Sequence, residues 1–159
     1  MPLTQPTSAV SLRALDHQNF KAVTKLAVYP YQSGFVASNE NTIAKAWLDH
    51  DKVTLQVVYA NETPVGLLAA WCVPVEGQFH LLRFMIDRDH QGQDYGRAAL
   101  QQWLAALQAQ HGPVRVTLYY RNGEGSPRPF YERLGFMDTG ERDGEEHIMA
   151  MQLTAPSVT

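Results

Sequence analysis

The sequence predicts one mixed α/β domain built on a central sheet, and three observations indicate this class. Strand-like and helix-like segments alternate along the chain, and no internal repeat is present. The 159 residues are enough for one domain with a real core, and 45% are hydrophobic against 18% charged. Turn residues such as Gly112-Pro113 and Asp143-Gly144 separate the segments. We expect a single domain over residues 8–154, with loose tails at 1–7 and 155–159.

Seven strands are predicted, because short apolar or alternating runs are bounded by turn residues. They cover residues 10–15, 54–60, 65–73, 79–86, 114–120, 136–142 and 145–153. The dipeptide Asp143-Gly144 between the last two runs is typical of a tight hairpin turn. The order of elements is therefore β-α-α-β-β-β-α-β-α-β-β.

Four helices are predicted from apolar residues at helical spacing. The first follows Asp16, and the second begins after Ser38 or Asn39, since these residue types cap helices. The third covers 95–110 and ends before Gly112-Pro113, and the fourth covers 127–134, with proline in its first turn. In the second helix we expect the core-facing side chains to be Ile43, Trp47 and Leu48.

Composition excludes several classes of protein. The net charge of −3 and the isoelectric point near 6.0 argue against general binding of nucleic acids, which favours strongly basic surfaces. A single cysteine, Cys72, allows no internal disulfide, and its place in an apolar strand is typical of a small buried hydrophobe. No apolar run approaches ~18 residues and no signal-peptide pattern is present, so we expect a cytoplasmic protein without a membrane partner. The six histidines have no HExxH or paired spacing, so no metal is expected.

The segment from Leu82 to Leu100 is the most informative part of the chain. An apolar strand enters a turn with Gly92 and Gly96, and the turn opens a helix. A helix N-terminus presents unpaired N–H groups and a partial positive charge, so it attracts anions. Glycines allow the main chain to approach a phosphate closely. The segment therefore predicts a site for a phosphate-bearing cofactor.

Two motifs resemble one family. Gln91-Gly92-Gln93-Asp94-Tyr95-Gly96 resembles the (Arg/Gln)-x-x-Gly-x-(Gly/Ala) signature of the GNAT superfamily of N-acetyltransferases, at the same strand–helix junction. Downstream, residues 129–136, with Tyr131 before Leu-Gly-Phe, resemble its second signature. The resemblance covers nearly the whole chain. It implies a mostly antiparallel, twisted sheet flanked by helices. It also implies that acetyl-CoA is the co-substrate and that an amine attacks it directly in a ternary complex.

The resemblance also implies roles for individual residues. The backbone of the strand end would bind the pantetheine arm and polarise the thioester carbonyl, with Phe84, Met85 and Ile86. Main-chain N–H groups of the turn would hold the pyrophosphate; this set is Gln91, Gly92, Gln93, Asp94, Tyr95, Gly96 and Arg97. Tyr131 would donate a proton to the departing thiolate, and the alternative is a core aromatic beside Phe130 and Phe136.

The sequence departs from the family pattern at the cofactor turn, where Asp94 replaces a glycine. A carboxylate there repels phosphate, and aspartate is also a favoured N-cap that can occupy the helix N–H groups. We therefore expect weakened but not abolished affinity for acetyl-CoA; the alternative is that Asp94 points to solvent. A second departure is Glu124, which stands where many relatives carry asparagine, so contacts of that loop to the cofactor arm are in doubt.

The general base and the amine site are less defined. The strand before the turn has no carboxylate at the usual position, so His80 is its one conventional base; Glu76 and proton loss through water are alternatives. Residues 34–39 and 83–87 resemble the spermine/spermidine acetyltransferases. The candidate substrate-binding residues are Phe35, Asn39, Trp71 and Glu76.

These observations leave three functions open. The leading hypothesis is acetyl transfer to a primary amine of a small molecule, with a polyamine as one candidate. The second is acetylation of an aminoglycoside, an amino acid or a peptide N-terminus. The third is a non-catalytic acyl-CoA-binding regulatory module, favoured by Asp94 and by the missing base. A homodimer is compatible with the predicted hairpins.

Overall fold

The computed structural model describes residues 9–155, in which seven strands and four helices follow the predicted order. The elements are β1 Val10–Ala14, α1 Phe20–Lys25, α2 Asn39–Leu48, β2 Val53–Ala60, β3 Thr63–Val73, β4 Gln78–Ile86, α3 Tyr95–His111, β5 Arg115–Tyr120, α4 Arg128–Leu134, β6 Met137–Asp143 and β7 Glu146–Gln152. Single-turn 3-10 helices at Pro30–Gln32, Pro74–Glu76 and Arg88–His90 were not predicted. The expected tails lie outside the described residues, apart from Ala155.

The strands form one mixed sheet in the order β1-β2-β3-β4-β5-β7-β6. Every neighbouring pair is antiparallel except β4 and β5, which are parallel. The expectation of a mostly antiparallel sheet is therefore confirmed. The parallel pair arises because α3 carries the chain from the end of β4 back to the start of β5, as a parallel connection requires.

Helices cover both faces of the sheet. Helices α3 and α4 cover the larger core cluster, in which Leu100 and Trp103 of α3 pack with Leu81 of β4 and Leu118 of β5. On the other face α1 buries Val23 in a smaller cluster. No helix described in residues 9–155 is long and apolar enough to span a membrane.

The predicted core face of α2 is wrong. Trp47 is 76% exposed and Leu48 is 78% exposed, and only Ile43 of the expected three is partly buried. The buried stripe consists of Asn39, Thr42 and Ala46. This stripe is partly polar because the helix faces polar groups of its neighbours. Ser38 caps it, accepting a hydrogen bond from the Asn41 amide at 3.2 Å.

Candidate active site

The centre of the sheet opens where β4 separates from β5. Only two residue pairs join these strands, His80 with Thr117 and Leu81 with Leu118. The β3–β4 register shifts by one residue directly after this point, so that Leu82 is the extra residue of a β-bulge. Beyond the bulge, β4 continues to Ile86 along β3 with no described strand paired to its other edge. The opening therefore leaves a row of backbone groups available to a ligand.

Alternation along β4 determines which backbone groups face the opening. The Asp87 N–H donates to Val65 of β3 at 2.8 Å, so Asp87 and Met85 direct their backbone polar groups to β3. Phe84 and Ile86 direct theirs to the opening. The Ile86 carbonyl accepts a hydrogen bond from the Gln91 side chain at 2.9 Å. The N–H groups of Phe84 and Ile86 and the Phe84 carbonyl then have no partner within residues 9–155 and can bind a ligand. Met85 therefore does not supply the backbone contacts expected of it, and its side chain is buried on the α1 face.

A groove of about 1800 Å³ runs from this opening across the sheet. It exceeds the roughly 300–1,000 Å³ of sites for one small ligand, and so has room for a long cofactor and a second substrate. Loops from the two halves of the sheet meet beside it. A Cβ on Gly125 would lie 3.2 Å from the Tyr31 ring and 3.7 Å from the Phe35 ring.

The turn after β4 brings the N-terminus of α3 to one end of the groove. No acceptor within residues 9–155 binds the N–H groups of Tyr95, Gly96 and Arg97. Gly96 lies close to its neighbours, because a Cβ would be 3.3–3.4 Å from Phe130, Ile86 and Phe84 side-chain atoms, which leaves room only for a small residue. These three amides, beside the exposed Arg97, provide the donors and the charge that a diphosphate requires.

Asp94 does not cap α3 with its side chain. It is exposed and left-handed, with φ 63° and ψ 12°, and its carboxylate accepts no hydrogen bond from the helix. The expected competition of the carboxylate for the helix N–H groups is therefore wrong, and the alternative of a solvent-facing side chain agrees with the structure. The left-handed backbone, which favours glycine, explains why glycine is the family residue here. What remains is the negative charge beside a predicted phosphate site.

We expect Asp94→Gly to bind coenzyme A about twofold to fivefold more tightly. The factor corresponds to the ~0.3–1 kcal/mol that an unfavourable charge costs at an exposed helix terminus. Titration calorimetry at low and high salt measures it, and the gain should shrink in salt. Asp94→Asn is the matched control, because it removes the charge but keeps a side chain in the left-handed conformation. Unchanged or weaker binding by both variants would contradict the expected repulsion.

The other turn residues have structural partners. The Gln93 side chain accepts a hydrogen bond from the Tyr95 hydroxyl at 2.9 Å, and Gly92 is left-handed with φ 80°. The Gln91 amide pairs with the Gln32 amide through reciprocal hydrogen bonds of 2.9 and 3.2 Å. Gln91 thus links the end of β4 to the loop after α1. Gln32 was missed in the sequence, because no local pattern indicates a contact across 59 residues.

Tyr131 lies on α4 and lines the groove, although it is only 7% exposed. Burial raises the pKa of its phenol well above the usual value, so the hydroxyl keeps its proton at neutral pH. No group in residues 9–155 forms a hydrogen bond with that hydroxyl. Its ring also packs against Phe130 and Phe136, as the alternative interpretation expected. A neutral donor without a partner among the described residues is available to a ligand in the groove.

His80 lies on β4 two residues before the bulged Leu82. Its Nδ1 is 2.9 Å from Thr117 Oγ1, and its ring packs edge-on against Tyr119. Burial lowers the pKa of His80 to about 4, so the imidazole is neutral but weakly basic at pH 7. His80 stays a candidate base, with less basicity than its ordinary pKa suggests.

We expect the buried neutral His80 to make the protein less stable in acid. The unfolded chain takes up a proton on this residue near pH 6.5, whereas the folded chain does so only near pH 4. The free energy of unfolding should therefore fall as the pH drops through this window, by up to about 1.4 kcal/mol per pH unit. Urea unfolding at pH 7.5 and 5.0 tests this, with His80→Gln expected to have the smaller drop. Equal drops in the two proteins would contradict the expectation.

Two of the four expected substrate residues lie at the groove. Phe35 and Trp71 line it, but Asn39 and Glu76 do not. Asn39 is 3% exposed and donates to the Val23 carbonyl at 2.8 Å at the end of α1, so its amide already has a partner, and its role as a substrate ligand stays a prediction. Glu76 is exposed on a 3-10 turn outside the groove.

The described residues offer neither a metal site nor an activated thiol. Within 9–155 no group of three or more His, Cys, Asp or Glu side chains is placed to hold a metal ion. Burial raises the pKa of the Cys72 thiol, which disfavours the reactive thiolate.

Comparisons with known proteins agree with this geometry. The sequence model of the acetyltransferase (GNAT) domain matches residues 51–138, more than half of the chain. The chain belongs to the GNAT acetyltransferase family, and it is an acetyl-CoA-dependent N-acetyltransferase. No curated protein matches the sequence.

Solved structures with the same fold cover nearly the whole chain. The PaiA N-acetyltransferase from Thermoplasma acidophilum, in complex with coenzyme A, is 15% identical, with a TM-score of 0.69 over 91% of this chain and 99% of that one. An acetyltransferase from Thermus thermophilus is 19% identical, with a TM-score of 0.73 over 92% and 99%. The ribosomal-protein-S18-alanine N-acetyltransferase from Escherichia coli is 19% identical, with a TM-score of 0.69 over 94% and 97%. At these identities the likeness is one of fold.

Proposed function

We propose that the chain transfers the acetyl group of acetyl-CoA to a primary amine, with the cofactor lying along the opening between β4 and β5. The observation that carries this is the edge of β4 after the Leu82 bulge, which no strand described in residues 9–155 pairs with, next to the α3 amides of Tyr95 to Arg97, which have no acceptor in the same range. The Phe84 and Ile86 backbone groups would bind the pantetheine amides as a further strand would. The α3 amides and Arg97 would then hold the diphosphate.

The residues at the opening supply what acetyl transfer requires. The amine nitrogen attacks the thioester carbonyl carbon, the carbon–sulfur bond breaks, and the amine loses a proton. A backbone N–H of Phe84 or Ile86 would stabilise the negative charge that develops on the carbonyl oxygen. Tyr131 would donate its proton to the departing sulfur and regain the proton that the amine releases, so the products are an N-acetyl amine, a free thiol and neutral Tyr131. The same burial that keeps Tyr131 protonated also disfavours a bare thiolate next to it.

The proton lost by the amine has two candidate routes. His80 faces the groove, but its pKa of about 4 makes it a weak acceptor. Transfer through water needs no protein base. Solvent reaches this part of the groove, because Tyr119, which lies beside His80, is 42% exposed. We favour the water route for this reason.

The acceptor is the less defined substrate. A polyamine needs carboxylates, and the described groove has only Asp94, at the cofactor turn, and Glu146, 3.9 Å from Arg121. The ribosomal-protein acetyltransferases among the structural neighbours make a peptide N-terminus a second candidate, on likeness of fold alone.

Release of free thiol from acetyl-CoA, followed with DTNB over a panel of amines, tests the proposal. The panel contains spermidine, an aminoglycoside, free amino acids and a short peptide with a free N-terminus. Turnover with any of these supports acetyl transfer, and mass spectrometry of the product locates the acetyl group. Absence of coenzyme A binding by calorimetry, together with absence of turnover, would overturn the proposed site.

A further inference from the structure

The lining of the groove is cationic, although the chain as a whole has a net charge of −3. Five arginines line the groove against two carboxylates, Asp94 and Glu146. Asp94 stands at the cofactor turn, and Glu146 is paired with Arg121. Among the described residues, no unpaired carboxylate lines the groove apart from Asp94 at the cofactor turn. A further cation, Lys52, lies 5.3 Å from the centroid of the Trp71 ring.

Arg83 is the arginine next to the strand end proposed to bind acetyl-CoA, because it directly precedes Phe84 and follows the bulged Leu82. Its Nη1 donates to Asn41 Oδ1 at 2.6 Å and to Thr42 Oγ1 at 3.2 Å, both on α2. Both acceptors are neutral, and Arg83 forms no ion pair within residues 9–155. The Nε and Nη2 atoms have no protein acceptor in this part of the chain. That edge of a guanidinium is the one that binds a carboxylate through two parallel hydrogen bonds.

The environment of Arg83 is partly desolvated. Partial burial lowers the pKa of its guanidinium, because the charged form has lost solvent. A partly desolvated cation gains more from an anionic partner than a fully solvated one does. Asn41 and Thr42 hold the side chain in position, so little conformational freedom remains to be lost on binding.

We infer that Arg83 binds a carboxylate of the acceptor, and that the acceptor is therefore an amine bearing a carboxylate close to its nitrogen, as in an α-amino acid. This inference rests on the proposed acetyl transfer at the same groove. It commits to one of the acceptor classes that the sequence left open, and it disfavours a polyamine, whose ammonium groups would meet Arg83. The carboxylate would also orient the amine, because a bidentate pair fixes direction as well as distance.

Matched acceptors test the inference with the purified chain and acetyl-CoA. Tyrosine, tyrosinamide and tyramine differ only at the carboxylate, and lysine with cadaverine forms a second pair. We expect kcat/KM for the carboxylate-bearing member to exceed that of its partner about tenfold or more, as for a charge-assisted hydrogen-bonded pair. Equal rates, or faster reaction of tyramine, cadaverine or spermidine, would overturn the inference while leaving the proposed acetyl transfer intact. Absence of turnover with every acceptor would overturn both.

Three variants distinguish direct binding of the carboxylate by Arg83 from attraction by the overall positive charge of the groove. Arg83→Gln should remove the preference for carboxylates, with coenzyme A affinity unchanged in calorimetry. Asn41→Asp should also remove it, because it places a carboxylate on Arg83; an acidic residue in the first turn of α2 favours folding. Arg115→Gln removes the same charge from an exposed position on β5 and should retain the preference within about twofold. Loss of the preference in Arg115→Gln to the same extent, or its retention in both Arg83→Gln and Asn41→Asp, would overturn the role of Arg83.

Discussion

Tyr131→Phe should lower kcat about 10²–10³-fold with little change in the affinity for coenzyme A. The hydroxyl is the neutral donor that lines the groove without a partner among the described residues, and a positioned acid typically contributes about 10²–10⁴-fold. The ring stays in place, because the phenyl group keeps its contacts with Phe130 and Phe136. Steady-state kinetics with the best acceptor of the panel, and calorimetry with coenzyme A, measure the two quantities separately.

Tyr29→Phe is the matched control for this change. Tyr29 is 40% exposed and lies outside the groove, so removal of its hydroxyl should leave kcat unchanged within a factor of about two. Wild-type kcat in Tyr131→Phe would remove the tyrosine from its proposed role and would return it to the alternative of a core aromatic. A parallel loss in both variants would indicate damage that is unrelated to the phenol.

Gly66→Ala should destabilise the protein by about 1–3 kcal/mol and weaken coenzyme A binding. A Cβ at Gly66 would lie 2.4 Å from the Met85 carbonyl oxygen and 2.7 Å from Ile86 Cδ1. The first of these atoms is backbone and cannot rotate away, so β3 and β4 must separate. The displaced segment of β4 is the one that would hold the pantetheine arm. Thermal unfolding should show a midpoint lowered by roughly 3–10 °C, and calorimetry should show weaker binding.

Gly34→Ala provides the comparison, because a Cβ there has nothing within 4 Å and the residue does not need a positive φ. Its unfolding midpoint should match the wild type within about 2 °C. If the unfolding midpoint of Gly66→Ala equals that of the wild type, the approach of β3 to β4 is not as close as described. If its unfolding midpoint is lower but its affinity for coenzyme A is unchanged, the edge of β4 that would bind coenzyme A does not depend on this contact.

The order of the elements could be predicted because it depends on local signals. Glycine, proline and the Asp143-Gly144 turn separate apolar runs of the correct length, and all seven strands and four helices begin or end within a few residues of their expected bounds. The turn from Gln91 to Arg97 could likewise be assigned, because its motif is continuous in sequence. These are features in which neighbouring residues determine the structure.

The errors concern contacts between distant residues. Trp47 is exposed although the sequence predicts it in the core, and Asn39 is buried although the sequence predicts that it faces a substrate. The reason is that polar contacts with the end of α1 and with Arg83, rather than hydrophobicity, determine which face of α2 is buried. Met85 was placed among the cofactor residues because a sequence motif does not tell which strand edge each backbone group faces. The absence of an Asp94 cap depends on a left-handed backbone that its sequence neighbours do not indicate.

The short ladder between β4 and β5 has a consequence for the lifetime of the protein. With two residue pairs joining these strands, the sheet consists of a four-stranded and a three-stranded part that are held together mainly by the core beneath α3 and α4. Amide hydrogens at that junction should exchange early, since weakly joined units open separately. A ligand lying across the junction would tie the two units together, and at a hundred times its dissociation constant it adds about 2.7 kcal/mol to the folded state. Resistance of the chain to proteolysis would then follow the supply of coenzyme A in its surroundings.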